Sequence, residues 1–92
     1  MTQDEAETLA LQALGWLATQ DEVWQAFLLN TGMAAADIRK AAADPGFLTA
    51  VLEFLTQHDG WVTAFCDAAG VDYRLPLAAR QRLSPESDMH WT

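Results

Sequence analysis

Two side chains in this chain could serve as a nucleophile and its base: Cys66, the only cysteine, and His58. A thiol becomes a nucleophile when an imidazole within hydrogen-bond reach takes its proton. On one helix a spacing of eight residues separates the pair by about 12 Å, more than two turns. Cys66 also follows Phe65 in an apolar run, where a free cysteine behaves as a small hydrophobe. His58 next to Asp59 reads as a loop and helix-start pair, and His90 lies in a polar C-terminal segment. Metal binding needs clustered His, Cys and carboxylate ligands at helical or loop spacing, which this pattern does not supply. No calcium-loop pattern surrounds Asp37 or Asp44. The five glycines stand singly, with no phosphate-cradling GxxxxGK[ST] or GxGxxG. The residues therefore predict no catalytic set, no metal and no cofactor.

What remains is recognition chemistry. Trp16, Trp24 and Trp61 fall in apolar helical stretches and Trp91 in the C-terminal segment. Such residues either fill a core or anchor an interface, because tryptophan combines large apolar area with a polar handle. Arg74, Arg80 and Arg82 form a basic stretch with no acid among residues 73–85, whereas residues 1–22 hold Asp4, Glu5, Glu7, Asp21 and Glu22 and no base. Opposite ends of this kind attract within a monomer or across a dimer, or the arginines meet an acidic partner. A helix-turn-helix reading would place a recognition helix at Arg74–Arg82. The net charge of −8, from 13 acidic and 5 basic residues, opposes it, since that field repels a phosphate backbone. An anionic membrane surface is opposed for the same reason.

Ninety-two residues, 51% of them hydrophobic, are enough for one domain with a real core and too apolar for intrinsic disorder. One cysteine excludes an intramolecular disulfide. The start Met1-Thr2-Gln3-Asp4-Glu5 lacks the basic region of a signal peptide. The charge-free runs fall short of the about 18 apolar residues that a membrane span requires. These features together predict a cytoplasmic protein.

The elements that must position these residues are helices. Thr2-x-x-Glu5 is a capping box, with Asp4, Glu5 and Glu7 complementing the positive end of a helix over 3–19. That helix is apolar around most of its girth, except for a stripe at Glu5, Thr8, Gln12, Gly15 and Thr19, so it is expected to lie centrally among other helices. Gly15 inside it predicts the close approach of a crossing helix, with a kink as the alternative. Two stretches 38 residues apart then repeat a pattern: Asp21…Ala26-Phe27-x4-Gly32-Met33 and Asp59…Ala64-Phe65-x4-Gly70-Val71. Each reads as a short helix opened by an acidic cap, carrying a buried aromatic (Phe27 or Phe65), and stopped by a left-handed glycine. A short helix within Ala34–Ala43 carries Ile38 as its one large apolar residue. Asp44-Pro45 starts a helix running to about Gln57, and Asp72 caps a last one through Leu83, with Pro76 tolerated near its first turn. No segment shows the alternation of a half-buried strand.

The run Ala6-Glu7-Thr8-Leu9-Ala10-Leu11-Gln12-Ala13-Leu14-Gly15-Trp16-Leu17-Ala18 resembles the N-terminal signature of a small bacterial family, domain of unknown function 3572. Further matches are Phe27-Leu28, Thr31-Gly32, Ala42-Ala43-Asp44-Pro45-x-Phe47-Leu48, Val51-Leu52-x-Phe54-Leu55 and Ala64-Phe65-Cys66-x-Ala68-Ala69-Gly70. The resemblance covers about residues 5–83 and implies a fold-sized unit with no assigned activity. Ala34-Ala35 stands where family members often start the third helix with Gly-apolar-Asp-Pro.

The expected architecture is all-α: a compact bundle of five to six short helices, with the N-terminal helix central and two helix-turn-helix units packed around it. It occupies residues 1–83 as a single domain, and residues 84–92 are expected to form a flexible tail. The expected function is a non-enzymatic protein-interaction module, a candidate homodimer, meeting an unidentified protein partner through Trp16, Trp24, Trp61, Arg74, Arg80 or Arg82. No nucleic acid and no membrane is expected. The alternatives are a small-molecule binder or enzyme with a site between helices and, more weakly, a helix-turn-helix nucleic-acid binder.

Overall fold

Thr2 opens helix α1 (Gln3–Leu17) with a complete capping box. Its hydroxyl accepts from the Glu5 amide at 3.1 Å, and the Glu5 carboxylate accepts from the Thr2 amide at 2.8 Å. Helices α2 (Asp21–Thr31), α3 (Ile38–Ala41), α4 (Pro45–Leu55), α5 (Asp59–Ala69) and α6 (Leu75–Leu83) follow, with a single 3-10 turn at Ala35–Asp37 leading into α3. The computed structural model describes residues 1–83, so the expected tail at 84–92 lies outside the described residues. All regular structure among them is helical.

Local chemistry accounts for most boundaries. Gly32 and Gly70 end α2 and α5 at φ 72° and 70°, the left-handed region that glycine enters without a Cβ penalty. Their amides donate to the Leu28 and Cys66 carbonyls at 2.9 and 2.8 Å. Asp44 accepts from the Gly46 amide at 3.0 Å, with Pro45 as the first helical residue of α4. Asp72 accepts from the Arg74 amide at 2.8 Å one turn before α6.

The acidic caps expected at Asp21 and Asp59 are corrected. The N-cap positions are Gln20 and His58, neither of which makes a side-chain capping bond. Both aspartates are the first helical residues instead, where their charge still complements the helix dipole. Helix α1 stops two residues earlier than expected because Thr19 folds back, its hydroxyl donating to the Trp16 carbonyl at 2.7 Å. Helix α4 likewise stops at Leu55, and the Thr56 hydroxyl donates to the Leu52 carbonyl at 2.8 Å.

Packing centres on α1. It lies along α6 and α4, α4 lies along α6, and α2 and α5 touch α1 more lightly. Two tertiary bonds set the α4–α6 alignment. The buried Thr49 hydroxyl reaches the Pro45 carbonyl at 3.0 Å and the Leu83 carbonyl at 3.2 Å, while Arg80 Nη1 donates to Thr56 Oγ1 at 3.3 Å. Later residues of α6 thus meet earlier residues of α4, so the two run antiparallel. The largest fully buried side chains include Phe27, Phe65, Leu17, Leu52 and Leu55. The repeat of 38 residues holds for α2 and α5 and loosens after the glycines: α3 is 4 residues long, whereas α6 is 9 and packs on both α1 and α4.

Gly15 does not mark the close approach within this chain. The residue is exposed, α1 runs unbroken through it, and a Cβ built there would meet no atom within 4 Å. Ala6, Ala10 and Ala13, each 0% exposed, are the small residues over which α1 is fully covered. Gly15 instead faces outward with Glu5, Thr8 and Gln12, all exposed. Gly15→Ala is therefore expected to raise stability by about 0.5–1 kcal/mol, because it lowers chain entropy without a clash. A urea titration reads this as a higher midpoint at unchanged slope.

Candidate functional site

The residues that suggested recognition do not converge. Each helical tryptophan is partly buried and rests on a phenylalanine of its own core. Trp24 stacks on Phe27 with ring centroids 5.5 Å apart, Trp61 stacks on Phe54 at 5.0 Å, and Trp16 meets Phe65 edge-on at 6.1 Å. Phe27 and Phe54 are themselves edge-on at 5.2 Å, so Trp24 and Trp61 cap the two ends of one aromatic row.

The arginines are dispersed as well. Arg74 forks onto Asp72 of its own turn, with Nε and Nη2 at 3.1 and 3.0 Å from the two carboxylate oxygens. Together with the Arg74 amide, this pulls the Asp72 carboxyl down to about 2. Arg80 is spent on Thr56 at the C-terminal end of α4. Arg82 lies two residues further on and lines a shallow mixed hollow with Gln3, Pro45, Glu53 and Leu83. No common basic face results, since residues two apart on a helix point in nearly opposite directions.

Cys66 is 1% exposed, and its Sγ lies 3.6 Å from the Asp72 carbonyl, to which it donates. Burial pushes the thiol pKa up, and the charges of Asp67 and Asp72 add to the effect. The group is thus held as a thiol that ties α5 to the turn entering α6. His58 sits at the opposite end of α5, its ring 4.0 Å from that of Trp61. Among the described residues no three His, Cys, Asp or Glu side chains come together as a metal site.

The concave feature that does form was not legible as a site in the sequence. The outward stripe of α1 meets the start of α6 across an open groove of about 560 Å³. Leu9, Val71 and Leu75 make its apolar floor with Met1, Asp4 and Glu5 stand on its acidic side, and Thr8 and Gln12 complete the lining. The Thr2 backbone amide, and after it the Thr2 hydroxyl, hold the Glu5 carboxyl below its ordinary range, so it stays anionic. Thr8, Gln12 and Glu5 were readable as a polar stripe. Their pairing with Val71 and Leu75 joins segments about 60 residues apart in the chain and has no local signal.

No helix among the described residues is long and apolar enough to cross a membrane. A family model described as "Protein of unknown function (DUF3572)" matches residues 3–86. The chain belongs to that family. The match takes in all six helices and every residue of the α1–α6 groove except Met1. No curated protein and no solved structure gives a significant match to the chain.

Proposed function

We infer that this protein is a non-enzymatic interaction module that receives a segment of another protein in the groove between α1 and α6. The observation that carries the reading is the open groove whose apolar lining is the half-buried Val71 and Leu75 with the buried Leu9 behind them, beside an α1 stripe that no helix of the described chain covers. Helices with an open apolar seam typically recruit another helix or strand to cover it. The ionisable groups support the same reading, because Glu5 and Asp72 are tied into caps and Cys66 into a backbone bond. The single thiol accords with a reducing cytoplasm.

The test compares the immobilised protein with its Thr8→Arg variant, which puts a long side chain into the groove from an exposed helical position. Both are exposed to native lysate, and circular dichroism checks that the variant keeps its helices. A discrete protein retained by the wild type and lost by the variant is the expected result. Equal retention by the two, or no retention by either, overturns the reading.

A further inference from the structure

We propose that the α1–α6 groove is a receptor for a cationic amphipathic helix. The inference rests on the interaction reading above and assigns its partner's chemistry. Three features of the groove carry it, beginning with its shape. It lies between two packed helices, and a third helix laid along such a seam completes a three-helix layer, the usual way helices cover one another.

The second feature is length. From Asp4 to Gln12 the α1 lining of the groove spans about 12 Å at 1.5 Å per residue, which matches just over two turns of a docked helix. Beyond Gln12 the same side of α1 stays uncovered, with no atom within 4 Å of where a Gly15 Cβ would lie and Leu11 45% exposed. Glycine at this point costs the isolated helix stability, and close approach of an incoming backbone is what its missing side chain would permit.

Charge is the third. Asp4 and Glu5 line the groove, and among the described residues no Lys or Arg side chain does. The nearest arginine in sequence to the floor residue Val71, Arg74, is neutralised by Asp72. An apolar floor with an acidic side selects a helix whose apolar stripe is flanked by Lys or Arg. A second copy of this chain would bring its own acidic α1 and a net charge of −8 to the same place, which disfavours it as the occupant.

The probe is a synthetic Leu/Lys peptide of about 14 residues, roughly four turns, with leucines at amphipathic helical spacing. A Ser/Lys peptide of equal charge is its control. Fluorescence anisotropy measures binding to the wild type, to Asp4→Lys and to Asp21→Lys. The last two carry the same net charge and alter the same kind of position, the first turn of a helix, but only Asp4 lines the groove. At low salt Asp4→Lys is expected to weaken the Leu/Lys peptide about fivefold or more, and Asp21→Lys less than about twofold. The Ser/Lys peptide is expected to bind about tenfold more weakly than Leu/Lys or worse.

Equal losses in the two variants, equal binding of the two peptides, or no binding of Leu/Lys overturns the proposal. So does a concentration-dependent dimer, seen by light scattering and abolished by Thr8→Arg. If the lysate partner is lost with Thr8→Arg while the Leu/Lys peptide fails to bind, the interaction reading stands and the cationic helix falls.

Discussion

Phe27→Ala is expected to remove about 3–5 kcal/mol of folding stability. Phe27 is 0% exposed and lies against three other rings: Trp24 at 5.5 Å, Phe54 at 5.2 Å and Phe47 at 5.9 Å between centroids. Truncation deletes the ring that joins α2 to α4 and leaves a void that flat neighbours cannot close by small shifts. The aromatic contacts add to the loss, since edge-on and offset pairs contribute beyond their buried area. A domain of this size has roughly 5–10 kcal/mol in total, so the variant is left marginal or unfolded at room temperature. Thermal denaturation should read a fall of at least about 12 °C, at the 4–8 °C per kcal/mol usual for small domains. A loss under about 1 kcal/mol would mean that this row of rings is not the centre of the core.

Ala13→Leu is expected to destabilise by about 1–3 kcal/mol through overpacking. Ala13 is 0% exposed on the face by which α1 lies along α4 and α6, and it shares that face with Ala6 and Ala10. Extra methylenes there must separate helices or leave their rotamers. Gly15→Leu, only two residues along, is the matching control: it adds more bulk in open space and is expected to cost nothing. Urea midpoints for the two variants separate the explanations. Comparable losses at both positions would show that α1 is covered on its outward side as well. In that case the groove proposed as a receptor is already filled, and both functional readings lose their ground.

The two variants also locate what was readable in advance. Phe27 follows from the sequence, because large apolar residues at helical spacing within a capped segment are core in most folds. The close approach was expected at Gly15 and occurs at Ala6, Ala10 and Ala13. Gly15 belongs to the polar stripe with Glu5, Thr8 and Gln12, and that stripe names the face turned away from the bundle. Periodicity therefore carried the answer, and reading the glycine by itself missed it. The acidic caps at Asp21 and Asp59 shifted by one residue for a comparable reason. An aspartate at the cap and one at the first helical position both suit the helix dipole, so composition does not distinguish them.

The helices, the glycine stops, the capping box at Thr2 and Glu5, the Asp44-Pro45 start and the family resemblance were all legible in the chain. All of these depend on residues within a few positions of one another, where propensity, capping and dihedral preference act directly. Packing set the rest: α3 stays a single turn while α6 joins the core, and Trp24 and Trp61 cap one aromatic row. It also decided that Arg74, Arg80 and Arg82 go to separate partners, and that Leu9 faces Val71 and Leu75 across a groove. Those outcomes depend on which surfaces meet after helices have formed. Hydrophobic burial, which drives that step, has no direction in the chain and leaves no local mark.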